Sequence, residues 1–354
     1  MSPTELTRWI KVVCALAGAM FLAAFPCRGQ IREPASACLP PGTNRSIARC
    51  TPVTVHYATD RQLGAPKSAS VAAYTGNRSI ADGLSYGTAI VSIPKSHSLG
   101  VLEDLAWYEY SADAEKHVIV QRVTAQTESA FYDSLKSRYS DKEAIVFIHG
   151  YATTFDFALR RTAQIAFDLK FKGAAILYSW PSEGSAVKYV IDENNIEWTV
   201  PHLKEFLRSL RQRGTFSKIH LIAHSMGNRA LLNALKELDG DRANRSSMFD
   251  QVILAAPDID VDLFKRLASA VKANSRRVTL YASTADKAIL MSRKVHKYPR
   301  AGESGTNIVI LPAFIDTIDA SKVETELGFA HSLRLPCVNG NFDALTTVYT
   351  KFRS

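Results

Sequence analysis

The sequence predicts an α/β fold, built as a mostly parallel, doubly wound sheet with a β-rich N-terminal part. Two observations predict it. From residue 143 onward, short apolar runs with few charges alternate with amphipathic stretches of helical period. That is the pattern of strands buried on both faces and of the helices that cover them. Before residue 143, alternating β-branched and aromatic runs are separated by glycine-marked turns, which is a strand pattern. The composition agrees. Of 354 residues, 46% are apolar and 22% charged, with 18 Gly and 14 Pro. Such values exclude a collagen-like, low-complexity or disordered chain.

The elements follow in order. Residues 1–29 read as a signal peptide. Arg8 and Lys11 precede an uncharged, mostly apolar run from Val12 to Phe25, which is short for a membrane span. Cleavage after Gly29 would follow the small-residue pattern. A lipidated Cys27 and an uncleaved anchor are the alternatives. The formal charge of +9 falls to about +7 when Glu5, Arg8, Lys11 and Arg28 are removed. The chain is thus expected to be exported, periplasmic or secreted. Residues 30–52, rich in Pro, Ser, Arg and Cys, read as a linker or entry loop. Cys38 and Cys50 flank a Pro-Pro-Gly turn and can close a disulfide there.

Residues 53–354 form the main domain, divided into a β-rich part at 53–140 and a core at 141–354. In the first part, Thr54 to Thr59, Thr88 to Ile93 and Val118 to Val123 read as strands, with Gly83, Gly87 and Gly100 at turns. In the core the strands are Ala144 to Ile148, Ala174 to Tyr178, Ile219 to Ala223, Val252 to Ala255, Val278 to Tyr281 and Ile308 to Leu311. Helical faces lie between them. Phe157, Ile165 and Leu169 make one; Leu203, Phe206, Leu207 and Leu210 a second; Leu231, Leu232, Leu235 and Leu238 a third. Ligands bind such sheets at the carboxyl ends of the strands, so chemistry is expected just after each run.

The strongest local feature runs from Ile219 to Gly227. A buried strand passes through Ala223-His224-Ser225-Met226-Gly227 into a helix. This is the nucleophile elbow, a sharp turn that lifts a serine above the sheet. Ala223 replaces the first glycine of the usual pattern. A serine that merely caps the helix is the alternative. One oxyanion donor is the backbone N–H of Met226. The second is the N–H of Tyr151, in the loop His149-Gly150-Tyr151 that ends an earlier strand. His149 organises that loop.

A serine needs a base and an orienting acid. In this architecture both follow the serine in sequence. His296 and His331 are the histidines that do so, and His296 sits in a basic run. The base is therefore His331. His224 packs or hydrogen-bonds around the elbow. Asp286 and Asp258 compete as the acid. Asp286 follows the strand that usually carries it, and Asp258 is the alternative. Trp180-Pro181-Ser182 opens a polar segment containing Tyr189, Asp192, Asn195 and Trp198, either a cap over the pocket or an ordinary loop. Asp156, Arg160 and Arg161 read as surface or capping groups.

These residues resemble a bacterial family of α/β hydrolases of largely unknown function, within the esterase/lipase superfamily. The resemblance rests on "VHYATDR" at 55–61, "FIHGYATTFDFALRR" at 147–161, "YSWPSEG" at 178–184, "HLIAHSMGNRAL" at 220–231, "LAAPDID" at 254–260 and "LYASTADKAILMSR" at 280–293. It implies the α/β-hydrolase fold and a triad of Ser225, Asp286 and His331. The expected activity is serine hydrolysis, first of carboxylic esters, on a small-molecule or lipid-like acyl substrate. The same residues would serve a thioesterase, an amidase or an acyltransferase. A non-catalytic envelope scaffold that keeps the fold is the alternative from another class. No Cys-x-x-Cys pair or His/Cys metal spacing appears, and the chemistry calls for no metal or organic cofactor. Seven Lys/Arg against one acid between Ser275 and Arg300 suggest a solvated face, or contact with an anionic substrate or membrane surface. No array of basic and aromatic residues points to nucleic acid.

Overall fold

A computed structural model describes residues 50–321, apart from 66–72, 82, 105–111, 186–187, 214–215, 241–247, 284–291, 293–296 and 312–313. Its strands are β1 (Cys50–Thr59), β2 (Arg61–Leu63), β3 (Tyr74–Arg78), β4 (Ser85–Pro94), β5 (Ile119–Gln126), β6 (Glu143–Ile148), β7 (Ala174–Ser179), β8 (Lys218–His224), β9 (Phe249–Ala255), β10 (Ser275–Ala282) and β11 (Asp316–Asp319). Its helices are α1 (Glu128–Tyr139), α2 (Phe155–Asp168), α3 (Tyr189–Trp198), α4 (Val200–Arg213), α5 (Gly227–Gly240) and α6 (Val261–Asn274). Among the described residues, no helix is long and apolar enough to cross a membrane.

Among the described residues, nine strands form one sheet in the order β11-β10-β9-β8-β6-β7-β1-β4-β5. The run from β11 to β1 is parallel, and β4 turns antiparallel to both β1 and β5. Alternation along each strand feeds two cores. Ala144, Val146 and Ile148 face α1, α4, α5 and α6, whereas Ile145 and Phe147 face α2. The apolar faces of α4 and α5 are buried as their periodicity predicts. Leu203, Phe206, Leu207, Leu210, Leu231, Leu232, Leu235 and Leu238 are all sealed from solvent. Each such side chain contributes about 1.5–3 kcal/mol by leaving water.

Several local expectations are corrected. On α2, Phe157 is half-buried and carries Arg160 and Arg161 over its ring. The core face instead comes from Phe155, Ala158, Leu159, Ala163 and Ile165. Arg161 is buried rather than on the surface, donating to Gln164 at 2.8 Å. The β-rich part contains a full helix, α1, capped by Thr127. Gly87 lies inside β4, not at a turn. A Cβ there would fall 2.2 Å from the Thr124 carbonyl and 2.3 Å from the Tyr57 hydroxyl. Ile308 to Leu311 forms no strand; Leu311 makes a lone bridge to Ile315, and β11 follows at Asp316. β1 begins at Cys50, inside the segment expected to be a linker. Cys50 is disulfide-bonded, and Cys38 lies outside the described residues.

The loop after β4 is pinned to the end of α2 by His97. Its Nδ1 meets Glu103 at 2.7 Å and its Nε2 meets Asp168 at 2.7 Å. Asp168 also accepts from Gln164 and from the Gly100 N–H. Burial alone would lower the His97 pKa. The hydrogen bonds and charges of Asp168 and Glu103 outweigh it and raise the value to about 9. With the folded value above the ordinary 6.5, the protonated pin stabilises fully below about pH 6.5 and is lost as pH rises through about 9. The melting temperature should therefore fall over that window in the native chain. His97→Gln should melt lower at neutral pH and show a flatter profile.

Candidate active site

The carboxyl edge of the parallel strands is laced by backbone hydrogen bonds from loop to loop. Ser225 N–H donates to Ala255 O at 2.9 Å, Ala256 N–H to Tyr281 O at 2.9 Å, and Ser283 N–H to Gly302 O at 2.9 Å. At the centre of this edge, β8 ends and α5 begins. Ser225 stands between them with φ of 49°, the left-handed region that a side chain adopts only when its surroundings enforce it. Its carbonyl accepts from the N–H of Asn228 at 3.1 Å, from Asn228 Nδ2 at 2.9 Å and from the N–H of Asp258 at 3.2 Å. Its hydroxyl is buried and makes no hydrogen bond among the described residues.

Gly227 shows why small residues are needed here. A Cβ at that position would lie 2.3 Å from His149 O and 2.9 Å from Ile148 O. The first turn of α5 therefore rests on the end of β6, bringing Ser225, Met226 and Gly227 to the loop His149-Gly150-Tyr151. Met226 is sealed and Tyr151 nearly so. Ala223 packs fully buried within the core.

The loop after β6 is held from all sides. Trp180 donates its Nε1–H to His149 O at 2.7 Å, and its ring stacks on the His149 imidazole at 5.0 Å. Asp192 on α3 accepts from the N–H of Ala152 at 3.0 Å and from the Ser182 hydroxyl, which itself accepts from the N–H of Thr153. Burial raises the Asp192 pKa. The segment after Trp180 thus packs against the loop after β6. Tyr189, at the start of α3, meets the Tyr151 ring edge-on at 5.3 Å.

His224 is buried, and desolvation with the Arg161 charge lowers its pKa to about 3, so it is neutral. His149 is neutral for the same first reason, burial, reinforced by the nearby charge of Arg61. Neither is placed as a base. Asp258 lies beside the elbow, but its carboxylate is engaged. Tyr189 donates to it at 2.7 Å, Ser292 also donates, and Arg229 and Arg300 each approach within 3.4 Å. Arg229 also donates to the Tyr189 hydroxyl at 2.7 Å. Asp286 and His331, expected as acid and base, lie outside the described residues.

Arg61 was missed in the sequence, and Asp192 was named there only as part of the polar segment after Trp180. Arg61 is buried at 1% exposure, and Asp192 is buried behind Ser182. Arg61 lies two residues past the strand read at Thr54 to Thr59, where a charged residue ordinarily marks a loop; in the structure it opens β2. The one available signal was its place in the 55–61 motif.

Residues 123–334 match the model of a family described as "Alpha/beta hydrolase of unknown function (DUF900)". No curated protein matches. Among solved structures, the chain is similar to a Pyrococcus horikoshii acylaminoacyl peptidase at 13% identity and a TM-score of 0.30, covering 76% of this chain and 57% of that one. It is also similar to a Porphyromonas gingivalis dipeptidyl peptidase 4 at 11% identity and a TM-score of 0.28, covering 69% of this chain and 47% of that one. The chain thus spans about half the length of these two structures.

Gly227→Ala tests the contact between α5 and β6. The added methyl group must push against backbone, which costs about 1–3 kcal/mol. Thermal unfolding should reveal that loss, together with a weakened reactivity of Ser225 towards an active-site probe.

Proposed function

The chain belongs to this family of α/β hydrolases, and from that premise we propose that it is a serine hydrolase cleaving carboxylic esters through an acyl-enzyme on Ser225. The carrying observation is Ser225 itself. Its backbone is left-handed at the end of a buried parallel strand, and its hydroxyl is committed to no group among the described residues. A serine that served only as a helix cap would spend that hydroxyl on the first-turn N–H groups.

In the proposed cycle, His331 takes the Ser225 proton as the oxygen attacks the acyl carbonyl. The carbonyl oxygen becomes an oxyanion held by the N–H groups of Met226 and Tyr151. His331 then protonates the departing alcohol. Water, deprotonated by the same histidine, attacks the acyl-serine, and the acid leaves with Ser225 restored. Asp286 orients the imidazole and stabilises its cation. The engaged carboxylate of Asp258 supports this choice of acid, since its oxygens already accept from Tyr189 and Ser292.

The proposal extends to an exported enzyme acting on a small-molecule or lipid-like acyl group. The basic segment before Arg300 gives such a substrate, or an anionic membrane surface, something to approach. Lys297 and Tyr298 are exposed there, Tyr298 at 67%.

Ser225→Ala should abolish hydrolysis of a short p-nitrophenyl ester and labelling by a fluorophosphonate, with thermal unfolding nearly unchanged. Full activity in that variant would overturn the mechanism. The two acids separate by their readouts. Asp286→Asn should lose turnover at nearly native stability. Asp258→Asn should lower the melting temperature, because it weakens the partner of Arg229 and Arg300. Loss of turnover with native stability in Asp258→Asn alone would reverse the assignment.

A further inference from the structure

We propose that Arg61 is a positioning residue for the reaction: it selects the tautomer of His149 that turns the Tyr151 N–H towards the oxyanion. The proposal deepens the serine-hydrolase reading and rests on it.

Arg61 is sealed in the protein with every N–H direction occupied. Nε donates to Ser179 Oγ at 2.8 Å. Nη1 donates to Thr75 O at 3.0 Å and to Ser182 O at 2.9 Å. Nη2 donates to Thr153 O at 2.7 Å and faces His149 Nε2 at 3.2 Å. A guanidinium only donates, so His149 Nε2 must be the acceptor and carry no proton. The other ring nitrogen, Nδ1, lies 2.8 Å from Gly150 O. A carbonyl only accepts, so Nδ1 must carry the proton. The two contacts demand the same neutral Nδ1–H tautomer, and each fails in the other.

The Gly150 carbonyl is the far end of the peptide whose N–H belongs to Tyr151. That bond is trans, since the described chain has no cis peptide, so its C=O and N–H point in opposite directions. Capturing the carbonyl on the His149 side directs the N–H to the other side, where the proposed mechanism requires a donor. Hydrogen bonds weaken steeply as they bend. A rotation of this one peptide would therefore lower turnover with little change in substrate binding. Without Arg61, the nearest remaining partner of Nε2 is the Ser179 hydroxyl at 3.2 Å, which can accept as well as donate. The Nε2–H tautomer then becomes accessible, and the Gly150 carbonyl loses its donor.

Nitrogen-15 NMR of histidine-labelled protein reads the tautomer directly. The wild-type His149 signal should show a proton on Nδ1, and Arg61→Met should show the Nε2–H form as well. In kinetics with a p-nitrophenyl ester, Arg61→Met should lower kcat about 10- to 100-fold, less than outright loss of an oxyanion donor, with KM changed less than about twofold. In the His149→Asn background the side-chain amide donates from the Nδ1 position and has no tautomer to select. There the same Arg61 substitution should change kcat less than about threefold. A merely structural Arg61 would cost the same in both backgrounds, and that result overturns the proposal, as does a wild-type proton on Nε2. If Arg61→Met does not fold, the wild-type tautomer and the kcat of His149→Asn against His149→Gln decide, because only Asn keeps a donor for Gly150. Failure of a fluorophosphonate to label the wild-type protein would instead overturn the hydrolase reading, and the catalytic part of this proposal with it.

Discussion

The first turn of α5 rests so closely on the end of β6 that residue 227 has no room for a side chain. The rest of the site depends on that approach. It needs two adjacent parallel strands of matched length, with Ile148 level with Ala223. It needs the left-handed turn at Ser225 to reverse the chain within one residue. And it needs the Asn228 side chain to bind the carbonyls of both Ser225 and Ala255, so that the turn is locked to β9 as well. The strain at Ser225 is held by hydrogen bonds that a relaxed backbone would lose.

The same edge of the sheet concentrates buried charge. Asp60, Arg61, Asp192, Asp258 and Arg300 are all sealed or nearly so. Burying ions is costly unless their hydrogen bonds are met, and replacing them with apolar groups often stabilises a protein. Their value here is geometric. Arg61 and Asp192 do not pair directly; Arg61 donates to the Thr153 and Ser182 carbonyls and the Ser179 hydroxyl, and Asp192 accepts from the Ala152 and Glu183 N–H groups and the Ser182 hydroxyl. Loops have many apolar ways to pack but few ways to satisfy a guanidinium and a carboxylate at once. Polar burial therefore fixes one conformation where a hydrophobic contact would permit several.

The parallel core was legible because its strands are buried on both faces and its helices show a clean period. Val252 to Ala255 and the leucines of α5 illustrate both. The strand, turn and helix around Ser225 were legible because a buried run leads there into a helical face, with Gly227 at the point where the two elements touch. What the sequence hid depends on distant partners. Gly87 resembles a turn glycine until Tyr57 and Thr124 are seen to crowd it. Phe157 has the spacing of a core residue, yet it is only half-buried and carries two arginines over its ring. Ile308 to Leu311 is apolar enough for a strand, but the pairing with β10 is made by Asp316–Asp319, whose side chains are only half-buried. Arg61 could be weighed only once residues 75, 149, 153, 179 and 182 had been brought around it.

The place of β1 in the sheet has a consequence for how the chain assembles. It comes first in the described sequence but is an interior strand, pairing with β4 on one side and with β7 on the other. The β4 contact is local. The β7 contact joins Val55 to Ala175, across 120 residues. Contacts of that span form slowly, because the loop they close must first lose its freedom. During synthesis β1, β4 and β5 emerge as a three-stranded antiparallel unit. One long edge of that unit, with three Thr and two Val, stays unpaired until β7 arrives. An open edge of this kind is a template for the wrong strand as well as the right one. The interval between the appearance of β1 and of β7 is thus a stretch of biogenesis in which this protein is exposed to misassembly.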